Sequence, residues 1–161
     1  MIIVVMGVTG SGKTTIGTLL AQQLGWNYAD ADDFHSPGNK EKMSRGIALT
    51  DADREPWLRS IHDAMVRWQD RGENVVLACS ALKQRYRELL GEGVLAKFVY
   101  LRGTAELILS RLKQRKGHYA TGDLVDSQFA VLEEPKDAVV VDIAADPSTI
   151  VGEIRRRMKL G

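Results

Sequence analysis

The sequence predicts an α/β fold built on a parallel sheet with helices on both faces. Short apolar runs rich in Val and Ile alternate with longer stretches of helical periodicity. The short runs show no apolar–polar alternation, which is typical of strands buried on both faces of a parallel sheet. The regular alternation of strands and helices implies right-handed crossover connections between neighbouring strands.

Five segments are predicted as strands. Four of them are solid apolar runs, and the segment that follows the first helix is a weaker candidate. They cover residues 2–6, 26–29, 75–79, 98–101 and 139–141, the second being the weaker one.

The helical stretches between the strands carry start and stop signals. Gly25 is placed to end the first helix in a left-handed conformation, and Asp146 precedes the last helix as an N-cap. Ser36 and Pro37 form an N-cap followed by proline at the first helical position, in a short helix that Gly46 ends. The other predicted helices cover residues 13–24, 51–71, 81–90, 105–113, 127–133 and 147–158.

The helix after Thr50 is predicted to have two parts. Thr50 and Asp53, three residues later, resemble a capping box. Pro56 lacks an amide hydrogen, so it divides a short first turn from a longer helix that runs to Arg71 and stops at Gly72.

The size and charge of the chain exclude several classes of protein. A length of 161 residues predicts a single domain over residues 1–161. The net charge of +1 argues against a nucleic-acid binder, which normally carries a basic excess. No apolar run approaches the roughly 20 residues of a membrane span, and the first run leaves no room for a signal peptide. Cys79 is the single cysteine, so no intrachain disulfide can form and we expect a reducing, cytoplasmic setting.

The strongest motif lies between the first strand and the first helix. Residues 7–14 match G-x-x-x-x-G-K-[ST] at every fixed position, in the strand–loop–helix context that this motif requires. The glycines let consecutive N–H groups point at phosphate oxygens, and the helix adds its positive end. Lys13 can reach the β- and γ-phosphates of ATP, and the Thr14 hydroxyl can bind Mg²⁺. The predicted ATP-binding residues of this segment are Gly7, Val8, Thr9, Gly10, Ser11, Gly12, Lys13, Thr14 and Thr15.

A phosphate loop does not by itself say what the nucleotide is used for. A GTPase should carry an Asn-Lys-x-Asp guanine reader, but the nearest string, which begins at Asn39, lacks the Asp and follows no strand. A motor module would usually be longer and end a central strand in adjacent acidic residues, whereas here the third strand leads into Ser80. The short chain, an early acidic cluster and a late basic segment favour a small-molecule kinase.

The early acidic cluster lies where the second strand should end, at the sheet edge that carries the ligand in open α/β folds. If this segment is extended, Asp30 and Asp32 point to the same side and face the phosphate loop. Asp32 can then accept the proton of an attacking hydroxyl, and Asp30 can hold Mg²⁺. The alternative is a solvated acidic turn or an N-cap, and we expect Asp33 to face solvent.

Five further residues are candidates for binding the acceptor substrate. His35 can serve either a structural or a substrate-binding role. Arg54 lies among acidic residues, so it forms either a surface ion pair or a fork for a substrate carboxylate. Ser80 precedes a predicted helix whose N–H groups, with its hydroxyl, could hold a polar or anionic ligand. Lys83 and Arg87 are four residues apart on one face of that helix, where they bind substrate or are only solvated.

The one shift in composition is a basic, glycine-containing stretch at residues 111–123. We predict a lid at about residues 111–126, for which Gly117 and Gly122 permit a hinge. Arg115 is the candidate that stabilises the transferring phosphoryl group, and Arg111 is the candidate for stacking on adenine. The alternatives are a solvated helix end and a nucleic-acid patch, and the balanced total charge disfavours the patch.

Together these segments resemble the bacterial gluconate kinases of the shikimate-kinase-like P-loop group, over essentially the whole chain. The strings most particular to that family are Asp-Arg-Glu-Pro-Trp-Leu at residues 53–58, Cys-Ser-Ala-Leu-Lys at 79–83 and Arg-Lys-Gly-His at 115–118. The resemblance also includes residues 7–14, Asp30-x-Asp32-x-x-His35, residues 39–43 and 49–58, and Tyr86-Arg87. Ser36-Pro37 departs slightly, since family members often have proline directly after the histidine.

The resemblance implies ATP- and Mg²⁺-dependent phosphorylation of D-gluconate at its 6-hydroxyl, giving 6-phospho-D-gluconate. It also implies a three-layer P-loop kinase fold with a five-stranded parallel sheet, a mobile lid and a homodimer. Lys13, Asp32, Arg111 and Arg115 carry over by position. The alternatives that stay open are a kinase for another sugar acid or for shikimate, and a nucleotide-binding module without catalysis.

Overall fold

A five-stranded parallel sheet forms the centre of the computed structural model, which describes residues 1–114 and 122–161. The strands are β1 (Ile2–Met6), β2 (Asn27–Asp30), β3 (Val75–Ala78), β4 (Ala96–Arg102) and β5 (Val139–Asp142). Their order across the sheet is β2-β3-β1-β4-β5, and each neighbouring pair is parallel. The predicted α/β class is therefore confirmed.

In the same two ranges, seven α-helices and a 3₁₀ helix connect the strands. They are α1 (Lys13–Leu24), the 3₁₀ helix (Ala31–Phe34), α2 (Pro37–Ser44), α3 (Asp51–Asp70), α4 (Gln84–Gly91), α5 (Ala105–Lys113), α6 (Gly122–Val131) and α7 (Pro147–Arg157).

Local chemistry sets the helix ends much as the sequence predicts. Gly25 adopts a φ of 70° after α1, a left-handed conformation that glycine reaches at little cost. Ser36 and Asp146 each accept a hydrogen bond from the backbone amide three residues later. Thr50 and Asp53 form the reciprocal capping box, which satisfies two amides at the start of α3.

Two hydrophobic layers cover the two faces of the sheet. Alternate residues of β1 point to opposite faces, and all five are buried, which explains why β1 reads as a solid apolar run. Buried residues of α1, α5, α6 and α7 pack on the face that carries Ile3 and Val5. Buried residues of α3 and α4 pack on the face that carries Val4 and Met6.

The predictions for α3 and α4 are each wrong in one respect. Pro56 does not divide α3, which is continuous. A proline at the sixth position removes only one hydrogen bond of the helix. The capping box before Pro56 and the buried side chains of Trp57 and Leu58 after it stabilise the helix on both sides. The fourth helix begins at Gln84 instead of 81, because Ala81 adopts a φ of 46°, which is incompatible with a right-handed helix.

Two helices, α5 and α6, extend into the predicted lid region from either side in the part of the chain that the structure describes. Arg111 lies inside α5, and α6 begins at Gly122, earlier than the predicted start at 127. The reason is packing, because Val125 and Phe129, four residues apart, both contact the layer that also holds α5. The catalytic candidate Arg115, with residues 116–121, lies outside the described residues.

The carboxyl ends of the strands form the edge at which the functional candidates meet. β1 is central, so the loop after it lies between the segments that follow β3 and β4. β3 leads into Cys79, which is 2% exposed, and then into Ser80. In the described ranges, no helix has the length and apolarity that a membrane span requires.

Candidate active site

The loop between β1 and α1 has the backbone geometry of a phosphate cradle. Gly12 ends it with a φ of 97°, a left-handed conformation that leads directly into the N-terminus of α1. A Cβ atom on Gly7 would lie 2.6 Å from Ser11 Oγ and 3.1 Å from the backbone oxygen of Leu101. The loop therefore requires glycine at this position for close packing against its own chain and against β4.

The first three residues of the loop are held by hydrogen bonds from outside it. The Gly7 amide donates to the Ser80 carbonyl at 3.4 Å, and Lys13 Nζ donates to the carbonyls of Gly7 and Val8, both at 3.0 Å. The Thr9 amide donates to Gln128 Oε1 on α6 at 2.6 Å. The Thr9 amide, which the sequence assigns to phosphate, is thus occupied by a side chain.

Apart from the Ser11 amide, which donates to the Val8 carbonyl at 3.2 Å, the amides from Gly10 to Thr14 are open. Within the described ranges, the amides of Gly10, Gly12, Lys13 and Thr14 have no hydrogen-bond partner. Three of them belong to the start of α1, where the positive end of the helix dipole adds to their attraction for anions. This half of the loop has the free donors that phosphate oxygens require.

Lys13 and Asp32 interact across the sheet edge. Asp32 is exposed as a residue, but partial desolvation of its carboxyl group raises the pKa of that group and the charge of Asp30 raises it further, while Lys13 opposes both. Burial lowers the pKa of Lys13, with Asp32 as the largest opposing charge. A carboxyl group with a raised pKa beside a phosphate-binding lysine is typical of a proton acceptor in an active site.

The acidic segment after β2 is not extended, contrary to the sequence-based expectation. Asp30 ends β2, and Asp32 lies in the 3₁₀ helix. Asp30 Oδ1 accepts a hydrogen bond from the Asp32 amide at 2.9 Å, so Asp30 caps this helix, as one of the alternatives held. The tight turn nevertheless keeps both carboxylates within electrostatic range of Lys13. Asp33 is exposed, as expected.

Tyr28 connects the two candidate Mg²⁺ ligands. Its hydroxyl donates to Asp30 Oδ2 at 3.5 Å, and the Thr14 side chain is near enough to lower the pKa of Tyr28 against the effect of burial. Its ring packs over Gly17, where a Cβ atom would lie 2.8 Å from Tyr28 Cε1. Burial raises the pKa of Tyr28 to about 12, so the hydroxyl stays protonated at neutral pH.

This donor set fits Mg²⁺ better than a protein-only metal cage. Across residues 1–114 and 122–161, no group of three or more His, Cys, Asp or Glu side chains is arranged to hold a metal ion. Mg²⁺ commonly takes one or two carboxylates and completes its shell with water and substrate phosphates. Thr14 and Asp30 provide a hydroxyl and a carboxylate at the open half of the loop.

A cleft of about 370 Å³ continues from the loop towards the end of β5. Arg111 and Thr15, both predicted to bind ATP, line it. Its far wall is the segment from Ala144 to Pro147, which leads into α7 and which the sequence reading did not assign to the site. The cleft adjoins the phosphate loop, and concave sites of this kind are typical of small-molecule binding.

On the other side of the loop, Asp51, Arg54, Lys83 and Tyr86 form a network that we call the acceptor cluster. The Tyr86 hydroxyl donates to Asp51 and accepts from Arg54 Nη1 at 3.2 Å. Lys83 Nζ donates to Asp51 Oδ1 at 3.2 Å. The Tyr86 hydrogen bond is the main reason that the pKa of Asp51 is lowered, and Lys83 contributes next.

Arg54 and Lys83 differ in what they can still bind. Lys83 is paired with Asp51, which raises the pKa of Lys83. In the part of the chain that the structure describes, Arg54 makes no ion pair, so the surface-pair alternative does not apply. Its Nε and Nη2 groups remain as donors, and its Nη1 is oriented by Tyr86.

His35 lies between these two regions and is buried. Its ring stacks on Trp57 with centroids 4.2 Å apart, and its Nδ1 lies 3.4 Å from Asn39 Nδ2. Burial lowers the pKa of His35 to about 4, and Arg54 contributes, so the ring is neutral at pH 7. Trp57 Nε1 donates to the carbonyl of Ala31 at 2.7 Å, which attaches α3 to the acidic 3₁₀ helix.

The prediction that Arg87 binds substrate is wrong for this geometry. Its side chain is buried, with Nη1 donating to the carbonyls of Ala81 and Leu82 at 2.7 and 3.1 Å. Its Nη2 donates to Gln84 Oε1 at 3.0 Å and to the Glu133 carbonyl at 2.7 Å. Arg87 therefore ties the loop after β3 to the end of α6.

Ser80 is also placed differently from the prediction. It precedes an irregular loop instead of a helix, so the expected row of free helix N–H groups is missing at that position. Its carbonyl holds the Gly7 amide, which makes Ser80 a contact between the acceptor side and the phosphate loop.

Some site residues could not be assigned from sequence motifs alone. Tyr28 and Tyr86 act through their hydroxyl groups across the fold, and no local pattern marks such contacts. The wall formed by residues 144–147 follows the carboxyl end of β5, so the rule that ligands bind at this edge could have indicated it.

Comparison with known proteins identifies the family of the chain. The shikimate kinase family matches residues 9–157. A probable gluconokinase from Xenopus tropicalis is 45% identical, covering 99% of this chain and 96% of the relative. The thermoresistant gluconokinase of Escherichia coli strain K12 is 41% identical over 99% of this chain and 94% of its own length. The chain belongs to the shikimate kinase family.

The solved structures lead to the same membership. A gluconokinase from Sinorhizobium meliloti has a TM-score of 0.84 and 38% identity, covering 98% of this chain and 94% of that protein.

Proposed function

We propose that the protein is a gluconokinase that transfers the γ-phosphoryl group of ATP to the 6-hydroxyl of D-gluconate. The observation that carries this proposal is the row of unpaired amides in the phosphate loop, beside which Lys13 and Asp32 lie within electrostatic range of each other. Relatives named gluconokinase, 40–47% identical, support gluconate as the acceptor.

ATP lies along the phosphate loop with its base in the cleft beside Arg111. The free amides of the loop and the charge of Lys13 bind the β- and γ-phosphates. Thr14, with Asp30 directly or through water, would hold Mg²⁺, which would neutralise negative charge on the phosphates.

Asp32 orients the 6-hydroxyl and accepts its proton as that oxygen bonds to the γ-phosphorus. The bond between the γ-phosphorus and the bridging oxygen breaks, and ADP leaves with the electron pair. This transition state needs little covalent chemistry, so positioning and charge stabilisation supply most of the rate.

The gluconate carboxylate binds to Arg54. Among the basic candidates on the acceptor side, Arg54 has free guanidinium donors, whereas Lys83 is paired and Arg87 is buried in backbone contacts. A guanidinium matches a carboxylate with two parallel hydrogen bonds, which a lysine cannot do. Neutral His35, with Ser80 and Lys83, contacts the hydroxyl groups of the chain.

Four parts of the proposal concern the molecule as a whole. Residues 1–161 form one domain with a lid at about 111–126. Arg115 from this lid stabilises the transferring phosphoryl group. The enzyme is a homodimer, which light scattering measures directly. It works in the cytoplasm, where ATP is available and where the Cys79 thiol stays reduced.

The deciding experiment measures ADP release with D-gluconate, other aldonates and shikimate as acceptors. We expect D-gluconate to give the highest kcat/KM, with Lys13→Ala inactive although folded. Preference for another acid or for shikimate would assign a different acceptor. ATP binding without turnover on any acceptor would indicate a binding module.

A further inference from the structure

The side chain of Gln128 makes an unusual contact with the phosphate loop. It reaches from α6 across 119 positions of sequence, and its Oε1 accepts from the Thr9 amide at 2.6 Å. The donor is a backbone N–H, so this contact fixes the orientation of the carboxamide and places Oε1 on the loop side. In the described ranges, Gln128 makes no other side-chain hydrogen bond.

Thr9 lies between the part of the phosphate loop that is held by hydrogen bonds and the part whose amides have no partner. Gly7 and Val8 are held by Ser80 and Lys13, whereas the Gly10 amide has no partner in the described ranges. Without an acceptor, the half-buried Thr9 amide would be left unpaired, which favours a change in the local turn. The hydrogen bond to Gln128 therefore stabilises one orientation of the peptide groups on either side of Thr9.

The segment that follows the C-terminus of α6 is also held by hydrogen bonds. The Glu133 amide donates to the Leu82 carbonyl at 2.8 Å, and Arg87 Nη2 donates to the Glu133 carbonyl at 2.7 Å. Glu133 Oε1 also accepts from the Gln84 amide at 3.0 Å. The segment from Gln128 to Glu133 therefore spans from the phosphate loop to the loop that precedes α4.

We propose that Gln128 is a positioning residue that sets the conformation of the phosphate loop through the Thr9 amide. By this contact, α6 couples the nucleotide side of the site to the loop that carries Lys83. The coupling rests on the proposed kinase function, but the contact itself can be tested without turnover.

The first test is amide hydrogen exchange at Thr9. Methionine has nearly the length of glutamine without its acceptor, and glutamate keeps an acceptor at the same reach. We expect the Thr9 amide to exchange at least tenfold faster in Gln128→Met than in the native chain, and to stay protected in Gln128→Glu. Equal protection in the native chain and Gln128→Met would overturn the proposal, whatever the activity.

The second test separates kcat from KM. We expect Gln128→Met to lose kcat by up to about a hundredfold, the cost of a misplaced reacting group. Gln128→Glu should keep most of the native kcat at saturating ATP and raise KM for ATP, because it adds a negative charge beside the phosphates. An equal loss of kcat in both variants would assign a direct catalytic role to the Nε2 group and refute positioning.

Matched controls keep these outcomes interpretable. Gln22→Met makes the same substitution at an exposed position of α1 and should leave exchange and kinetics unchanged. Thermal unfolding of each variant reports whether the whole fold has loosened. If the native chain does not phosphorylate gluconate, the proposed function fails, whereas the exchange result at Thr9 still stands on its own.

Discussion

The phosphate loop and the acceptor cluster lie at the same edge of the sheet, but they are built from different groups. The loop offers backbone amides from one continuous segment, and its shape depends on glycines and on contacts from Ser80, Lys13 and Gln128. The acceptor cluster offers side chains from α3, α4 and the loop between β3 and α4.

The difference shows how the two substrates are recognised. All nucleoside triphosphates carry the same phosphates, and a backbone cradle is sufficient for them. An acceptor acid has its own pattern of hydroxyl and carboxylate groups, which requires side chains of matching type and position. Changes in the acceptor cluster should therefore alter substrate preference, while changes at the loop should abolish turnover.

The largest effect is expected where the two regions meet. Asp32→Asn should lower kcat by about 10²–10⁴-fold, since it removes the proton acceptor and keeps the shape of the side chain. ATP binding and thermal unfolding should change little. Asp33→Asn, at the exposed neighbouring carboxylate, is the matched control and should stay near native activity. Near-native turnover of Asp32→Asn would remove Asp32 from the mechanism.

The next effect tests whether the acceptor cluster sets affinity for the acid. Arg54→Ala should raise KM for gluconate by about 10–100-fold, the range for a hydrogen bond to a charged group. KM for ATP should not move. Arg85→Ala removes an exposed cation of the same region that also contacts Asp51, and it should have a much smaller effect. Equal effects of the two variants would mean that only total charge matters.

A smaller effect is expected when the network is loosened without removing a charge. Tyr86→Phe keeps the ring but deletes the hydroxyl that bonds to Asp51 and Arg54. Arg54 keeps its own contact with the substrate and loses only its orienting partner, so KM for gluconate should rise about fivefold, or about 1 kcal/mol, while kcat stays within twofold. Steady-state kinetics at saturating ATP measure both. An unchanged KM would show that Arg54 does not need this support.

The smallest effect is expected in the pH dependence of the free energy of unfolding, through His35 on the acceptor side. The pKa of His35 is lowered to about 4, below the 6.5 of an exposed histidine, so the unfolded chain binds the proton more tightly. Stability should consequently fall as pH decreases from about 6.5 to 4. Denaturant unfolding at several pH values should show a dependence weaker by about one proton in His35→Gln. Identical profiles would contradict the assignment.

The sequence predicts the fold and the phosphate loop well because both depend on local patterns. Solid apolar runs identify β1, β3, β4 and β5, and caps such as Thr50 with Asp53 locate helix starts. The loop motif is contiguous, so its geometry follows from residues 7–14 alone. The predicted break at Pro56 is wrong because a proline near a helix start removes only one hydrogen bond. The burial of apolar side chains of α3 stabilises the helix by more than this loss.

The acceptor side is harder to predict because distance along the chain hides its contacts. The spacing of Lys83 and Arg87 predicts that they share one helical face. Ala81 has a left-handed conformation, so α4 begins only at Gln84 and Lys83 is its N-cap. Arg87 is buried instead of facing the substrate side. Spacing alone cannot reveal a positive φ at an alanine, since this conformation is rare for that residue.

Cys79 gives the protein an internal reporter of its own motion. It lies directly after β3, it is the only cysteine, and burial raises its pKa to about 12. In the native state the thiol is protonated and shielded, so a thiol-specific dye can react only after this part of the sheet opens. The rate at which the dye labels the native chain therefore measures how often the structure opens locally beside Lys13, and no cysteine needs to be introduced.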